Sequence, residues 1–199
     1  VNPAVAYSLG SDYEVLEKHA YYYVKQLSQD GQYPLTVWSY HAILGGIGHA
    51  LVSAVEEAVF FHCIARHSQT QFEIKGNNPL TENYSVLRPE VLESFDGSIA
   101  QKNTRLIQEL LEFDAVIVGG QAKSHCVAWT IDDLLTEIQQ IDSNLATKVY
   151  LLEDCTSPVV VPGVVDYTEA ADAAFERFAA AGIHLVKSTE PFLSWVIAR

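Results

Sequence analysis

Apolar and polar residues alternate along the second half of the chain in two different periods. Short apolar runs at 114–119, 148–153 and 183–186 predict buried strands. Over 126–140 and 168–181, apolar residues recur every three to four positions, which predicts amphipathic helices. Strands that alternate with helices at this spacing are typical of βαβ units. The pattern therefore predicts an α/β fold with a parallel sheet flanked by helices on both faces.

The first half of the chain has a less regular pattern, with more turn-forming residues between its apolar positions. It predicts helices over 11–29, 49–60 and 98–112, a short strand over 71–75, and a strand or an extended segment over 33–38. All of these elements are expected to belong to one domain over residues 1–199.

Composition and charge narrow the classes of function. The chain has 199 residues, 49% of them hydrophobic, which is enough for one domain with a sizeable core. Its formal net charge of −13 is the wrong sign for a nucleic-acid partner. Apolar runs stay too short for a membrane span. Three widely spaced cysteines without a CxxC pair favour a reducing, cytoplasmic location without disulfides, with Cys63 and Cys155 expected to be buried.

The strongest candidate for chemistry is Cys126. It opens a predicted helix directly after an apolar run that ends in Gly119-Gly120. The positive end of a helix dipole stabilises a thiolate, and the free N–H groups of the first turn can hold an oxyanion. An acyl-transfer nucleophile needs both features. A small buried cysteine in a packed helix fits the local pattern equally well.

Three segments resemble those of the isochorismatase-like cysteine hydrolases, the superfamily that includes the nicotinamidases. In residues 72–87, Lys75 is followed by the pair Tyr84-Ser85; in residues 118–127, a glycine turn leads to Cys126-Val127. Residues 38–48 resemble the Trp-Pro-x-His segment of that superfamily and its downstream glycines. The resemblance implies a Rossmann-like three-layer sandwich and covers residues 33–188.

The resemblance also implies roles for individual residues. Cys126 would be the nucleophile, and Lys75 would polarise the site and favour the thiolate. The backbone N–H groups of Ala122 and Cys126 would form the oxyanion hole, and the bond between Gln121 and Ala122 would be a cis peptide. The substrate pocket is expected to be lined by Trp38, Tyr84 and His125.

Two features of the superfamily are absent from the sequence. No apolar strand leads to the expected catalytic aspartate, and of the metal ligands that nicotinamidases carry only His41 has a counterpart. The chain also begins with Val1 and contains no methionine. We therefore expect an upstream segment that supplies a strand and the aspartate. A divalent metal, zinc, is expected only if the protein is nicotinamidase-like, and otherwise no cofactor is required.

The expected activity is hydrolysis of a small amide through a Cys126 thioester. The substrate would be a small molecule, and the protein a homo-oligomer to which the tyrosines at 21–23 could contribute a contact. Two alternatives stay open at this point. The chain could be a catalytically inactive scaffold that keeps the fold, or a redox-responsive thiol protein, because a cysteine poised as thiolate also oxidises readily.

Overall fold

A computed structural model describes residues 1–29 and 33–196. The first half of the chain is mainly helical. Its elements are α1 (Pro3–Ser8), α2 (Tyr13–Gln29), α3 (Ser53–Arg66), a hairpin of β1 (Glu93–Ser94) and β2 (Gly97–Ser98), and α4 (Thr104–Glu112).

The second half alternates strands and helices. Its elements are β3 (Val116–Val118), α5 (Ala128–Ile141), β4 (Val149–Leu152), a hairpin of β5 (Val160–Val161) and β6 (Val165–Asp166), α6 (Thr168–Ala180), β7 (His184–Val186) and α7 (Phe192–Val196). Strands β3, β4 and β7 pair in parallel with β4 in the middle, so the parallel sheet is confirmed. Helices on both of its faces stay a prediction.

The main core lies between this sheet and the helices α4, α5 and α6. The central strand β4 is buried, with Val149, Tyr150 and Leu151 each at most 1% exposed. The apolar stripes of α5 and α6 pack into the same cluster. That cluster contains Leu87, Ile107, Ile131, Leu134, Ile138, Leu151, Phe175 and Phe178. Burial of this stripe holds α5 in place directly behind the turn that carries Cys126.

A smaller cluster ties α2 to the segment that follows residue 80. Tyr23, Leu27 and Val91 are buried together. On the same helix, His19 contacts the Leu80 carbonyl through Nε2 at 2.7 Å and the Ser94 hydroxyl through Nδ1 at 2.9 Å. Helix α2 therefore anchors both ends of the loop that runs from residue 80 to the first hairpin.

The prediction of a strand over 71–75 is wrong. No described strand pairs with these residues, and Phe72 and Ile74 are 73% and 54% exposed. A strand requires a neighbouring strand that pairs with its backbone N–H and C=O groups. A short apolar run does not show whether such a neighbour is present. Residues 33–38 likewise belong to no helix or strand in the part of the chain described.

Helix α3 differs from the other long helices because none of its residues is buried. Its apolar side chains Val55, Phe60, Phe61 and Ile64 are all more than half exposed. Across the described ranges, no helix combines the length and the apolar character needed to cross a membrane.

Candidate active site

Cys126 lies in a tight turn between β3 and α5. Gly119 and Gly120 follow the strand, and Gly120 has a φ of +143°, which favours glycine. The Gln121–Ala122 peptide bond is cis. Residues Lys123–Val127 then form one π-helical turn that leads into α5. This geometry places the half-buried Cys126 thiol at the start of the helical segment, beyond the end of a sheet strand.

Neighbouring segments hold this turn on two sides. The Gly120 N–H donates to the Cys155 carbonyl at 3.0 Å, and the Lys123 N–H donates to the Ser157 carbonyl at 2.8 Å. On the other side, Lys123 Nζ donates to Asp172 Oδ1 of α6 at 2.6 Å. The turn is therefore fixed to the end of β4 and to α6, which limits how far Cys126 can move.

Lys75 and Cys126 meet across 51 positions of the sequence. Lys75 Nζ lies 3.4 Å from Cys126 Sγ and donates to the Asn83 carbonyl at 2.6 Å. An ammonium group this close to a sulfur attracts negative charge that develops on it during a reaction. The carbonyl holds the ammonium in place without neutralising it. The pair can therefore generate and orient a nucleophile.

The N–H groups of Ala122 and Cys126 lie in the same turn as the Cys126 thiol. Among the described residues, the Ala122 N–H donates to no acceptor. The Ala122 carbonyl accepts from the N–H groups of His125 and Val127, both at 3.1 Å, so it points into the helical turn. The Cys126 N–H belongs to the same turn. Donors at a helix start are well placed to stabilise a negative oxygen.

His125 lies inside a cluster of aromatic rings rather than on a pocket wall. It is 4% exposed, and its Nδ1 lies 2.8 Å from the Ser124 hydroxyl. Burial lowers the pKa of His125, so its ring is neutral at neutral pH. Within the described chain, Nε2 has no hydrogen-bond partner. The rings around it belong to Tyr33, Trp38, Tyr84 and Tyr167, at centroid distances of 4.6–5.8 Å.

Trp38 and Tyr84 bond to each other next to this histidine. The Trp38 indole N–H donates to the Tyr84 hydroxyl at 3.3 Å. Burial raises the pKa of Tyr84, so its hydroxyl stays protonated over the physiological range. The three residues that sequence reasoning assigned to a pocket thus come together. His125 fills the middle of the group.

His41 and the other two cysteines lie elsewhere. His41 is exposed, and its Nδ1 contacts the Ser39 carbonyl at 2.6 Å. The described residues bring no three His, Cys, Asp or Glu side chains together as metal ligands, so they do not fit a zinc site. Cys155 is exposed and Cys63 is half-buried on α3, so the expectation that both are buried is wrong. The carbonyl and Cβ of Cys155 face Gly119 and Gly120 of the turn, and the Ser157 hydroxyl donates to the Gln121 side chain at 3.0 Å.

Sequence reasoning missed three residues that complete the site: Asn83, Glu90 and Tyr33. Asn83 acts through its backbone carbonyl, which no side-chain pattern reveals. Glu90 is buried and accepts from the Tyr84 N–H. Tyr33 stacks on Trp129 and donates to the Ser124 carbonyl at 3.0 Å. The local sequence gives no signal for Glu90, which stands between the charged residues Arg88 and Glu93.

A cavity of about 610 Å³ lies between α3 and residues 68–70. Its walls are mostly apolar and include His62, Cys63 and Thr70. None of the predicted site residues lines this cavity. This cavity is therefore separate from the Lys75–Cys126 pair.

The sequence matches no protein-family model and no curated protein. Among solved structures, it is similar to a nicotinamidase/pyrazinamidase of Acinetobacter baumanii, with 17% identity over 77% of this chain and 60% of that one, and a TM-score of 0.44. The yeast nicotinamidase Pnc1p bound to the inhibitor nicotinaldehyde gives 17% identity over 78% of this chain and 61% of that one, with a TM-score of 0.49. A second structure of Pnc1p gives 18% identity, coverages of 76% and 58%, and a TM-score of 0.47. The chain thus spans less than two thirds of the length of each of these proteins.

Proposed function

We propose that this chain carries the nucleophile site of a cysteine hydrolase that acts on a small amide. The observation that carries the proposal is the 3.4 Å contact between Lys75 Nζ and Cys126 Sγ at the start of a helical segment. The Cys126 thiolate attacks the amide carbonyl and forms a carbon–sulfur bond. The N–H groups of Ala122 and Cys126 stabilise the resulting oxyanion.

Collapse of the tetrahedral intermediate breaks the carbon–nitrogen bond, and ammonia or an amine leaves with a proton. Water then attacks the thioester, releases the acid and restores the thiol. In the described chain, no carboxylate hydrogen-bonds Cys126 or Lys75. The proposal therefore assigns proton transfer to an aspartate outside the described residues, and Trp38, Tyr84 and His125 to the neighbourhood of the substrate.

The test compares two substitutions at the pair in the full protein. Cys126→Ala should abolish hydrolysis of small amides such as nicotinamide and leave the fold intact, because alanine suits a helix start and one sulfur contributes little packing. Lys75→Met should lower kcat by about 10²-fold or more, since it removes the charge and keeps the bulk of the stem.

Circular dichroism and thermal unfolding of both variants control for the fold. The exposed lysine substitution Lys18→Met serves as the matched control and should leave hydrolysis unchanged. Full activity in Cys126→Ala would show that the nucleophile lies elsewhere.

A second candidate function is a redox-responsive thiol. It is favoured by Cys155, which is exposed and whose carbonyl bonds the Cys126 turn. Mild oxidation by hydrogen peroxide followed by mass spectrometry separates the two functions. A Cys126–Cys155 disulfide formed before any over-oxidation would favour the redox function. A homo-oligomeric state and a cytoplasmic location stay predictions of the sequence.

A further inference from the structure

Glu90 is a buried carboxylate that the proposed chemistry does not use. It is 4% exposed. Its Oε1 accepts from the Tyr84 N–H at 3.1 Å, and its own N–H donates to the Glu82 carbonyl at 2.9 Å. Burying a carboxylate costs several kcal/mol unless strong hydrogen bonds compensate. One backbone N–H offsets only part of that cost, so a neutral residue would suit a purely structural loop better.

The Tyr84 N–H and the Asn83 carbonyl belong to one peptide group. The carbonyl accepts from Lys75 Nζ at 2.6 Å, while the N–H faces Glu90. In a trans peptide these two groups point in opposite directions. Glu90 and Lys75 therefore lie on opposite sides of the same peptide plane, and a carboxylate, a peptide and an ammonium form one continuous chain of hydrogen bonds.

Such a chain is polarised from both ends. A negative charge at the N–H increases the polarisation of the peptide group and makes its carbonyl oxygen a stronger acceptor. A positive charge at the carbonyl has the complementary effect on the N–H. Hydrogen bonds to ionised groups are about twice as strong as neutral ones. The charge of Glu90 therefore influences the position of the Lys75 ammonium group and the strength of its hydrogen bond to the Asn83 carbonyl.

We propose that Glu90 is a positioning residue that acts on Lys75 through the Asn83–Tyr84 peptide group. This assignment deepens the proposed function and rests on it. In its ionised form Glu90 fixes the carbonyl that holds the Lys75 ammonium 3.4 Å from Cys126 Sγ. The same peptide carries the Tyr84 side chain, whose hydroxyl accepts from Trp38. Loss of the Glu90 charge loosens both contacts.

The groups that face Glu90 make its charge sensitive to pH. Burial raises its pKa to about 7, and the carboxylates of Asp133 on α5 and of Glu82 add to the increase. The Tyr84 N–H and the guanidinium of Arg88 oppose it. Glu90 is therefore ionised above about pH 7 and neutral below it. The chain of hydrogen bonds is strongest on the alkaline side.

The test reads the Lys75–Cys126 pair without any substrate. The rate of Cys126 alkylation by iodoacetamide, followed by peptide mass spectrometry, is measured in wild type, Glu90→Gln, Lys75→Met and the double variant. Glu90→Gln should slow alkylation by roughly threefold when Lys75 is present and have no effect in the Lys75→Met background, as expected for residues of one network. The exposed Glu93→Gln is the matched control and should change neither rate.

An equal effect of Glu90→Gln in both backgrounds would overturn the proposal, because it would reduce Glu90 to a structural support. If Lys75→Met leaves alkylation unchanged, the pair is not coupled and the inference fails with it. Absence of hydrolysis on every amide tested, with the coupling intact, would instead overturn the proposed function alone.

Should Glu90→Gln fail to fold, the ratio of the wild-type rate to the Lys75→Met rate is measured from about pH 6 to about pH 9. If Lys75 acts independently of Glu90, this ratio has its largest value at the acid end of the range and stays constant there. The proposal expects the ratio to fall by roughly threefold below about pH 7, the same factor as for Glu90→Gln. A constant ratio at the acid end would overturn it.

Discussion

Two buried ionisable side chains, His125 and Glu90, belong to the segments around the candidate site, and burial alters their charge in different ways. For His125, burial favours the form without charge, so the ring adds no positive charge beside Cys126 at neutral pH. For Glu90, burial raises the pKa to about 7, so the side chain is only partly ionised near neutral pH and becomes fully ionised on the alkaline side. The positive charge at the thiol therefore comes from Lys75.

Glu90 should lower the stability of the protein at alkaline pH. Its pKa in the folded state, about 7, lies above its ordinary value of 4.5. The folded state therefore binds the proton more tightly, and the free energy of unfolding falls as pH rises from about 4.5 to about 7. Glu90→Gln, which is always neutral, should escape this loss. Urea unfolding measures this difference. From about pH 4 to about pH 8, the free energy of unfolding of Glu90→Gln should rise relative to that of wild type by up to about 3 kcal/mol.

A gain of that size together with slower Cys126 alkylation would show that an ionised Glu90 is kept at the expense of stability. A difference between variant and wild type that does not change with pH would contradict the raised pKa. Glu93→Gln again provides the control, because Glu93 is exposed.

At the scale of residues, the sequence predicted the two side chains that meet at the candidate site. Cys126 and Lys75 each stand in a distinctive local pattern, and they meet in the structure. The contribution of Asn83 could not be predicted. Every residue has a backbone carbonyl, so the sequence does not show which one accepts from Lys75. Glu90 was missed because only the fold shows that its side chain turns inward. Sequence periodicity does not determine the direction of a side chain in an irregular loop.

At the scale of elements, the best predictions concern segments with long, regular patterns. Helices α2 and α6 and strands β4 and β7 lie within about two residues of their predicted bounds, which is the usual spread between ways of assigning helix ends. The short hairpins β1–β2 and β5–β6 were not predicted, because strands of two residues have no period to detect. The prediction of a strand over 71–75 is wrong, because no described strand pairs with these residues.

The link between the Cys126 turn and α6 should depend more on packing than on charge. Lys123 Nζ contacts Asp172 Oδ1 and also lies 4.5 Å from the centre of the Phe175 ring. Its side chain is 13% exposed, whereas that of Asp172 is 56% exposed. Asp172→Asn should therefore cost less than about 1 kcal/mol of unfolding free energy. Lys123→Ala should cost about 1–2 kcal/mol, because it also removes the buried stem and the ring contact.

Chemical unfolding of the two variants at one pH measures the difference. Equal costs would mean that the ion pair, rather than the packing of the stem, holds the turn to α6. Lys123→Met keeps most of the stem and should fall between the two.

At the scale of the whole molecule, burial is unevenly distributed. The fully buried large side chains lie mainly in the second half of the chain, around β4, α5 and α6. The described part of the first half contributes Leu87 and Ile107 to that core and a small separate cluster on α2, while α3 leaves its apolar residues exposed. The sequence could not predict this difference, because α3 has the apolar composition of a buried helix.

Truncating one phenylalanine in each half should reveal this distribution. Phe178 is 0% exposed in the main core, and Phe61 on α3 is 57% exposed. Phe178→Ala should cost about 3–5 kcal/mol of unfolding free energy, because it removes buried surface and leaves a cavity. Phe61→Ala should cost less than about 0.5 kcal/mol. Thermal unfolding under identical conditions compares them, and a large loss in Phe61→Ala would show that α3 is covered in solution.

The rings around His125 also give the protein an optical property. Two of its three tryptophans, Trp38 and Trp129, belong to this group, and Trp129 stacks on Tyr33 at 4.9 Å. Indole emission responds to the polarity and the charge of its immediate surroundings, and a charged imidazole quenches it. The intrinsic fluorescence of the molecule is therefore weighted towards the neighbourhood of Cys126. Light emitted by the unlabelled protein can report events there in real time, without an attached dye.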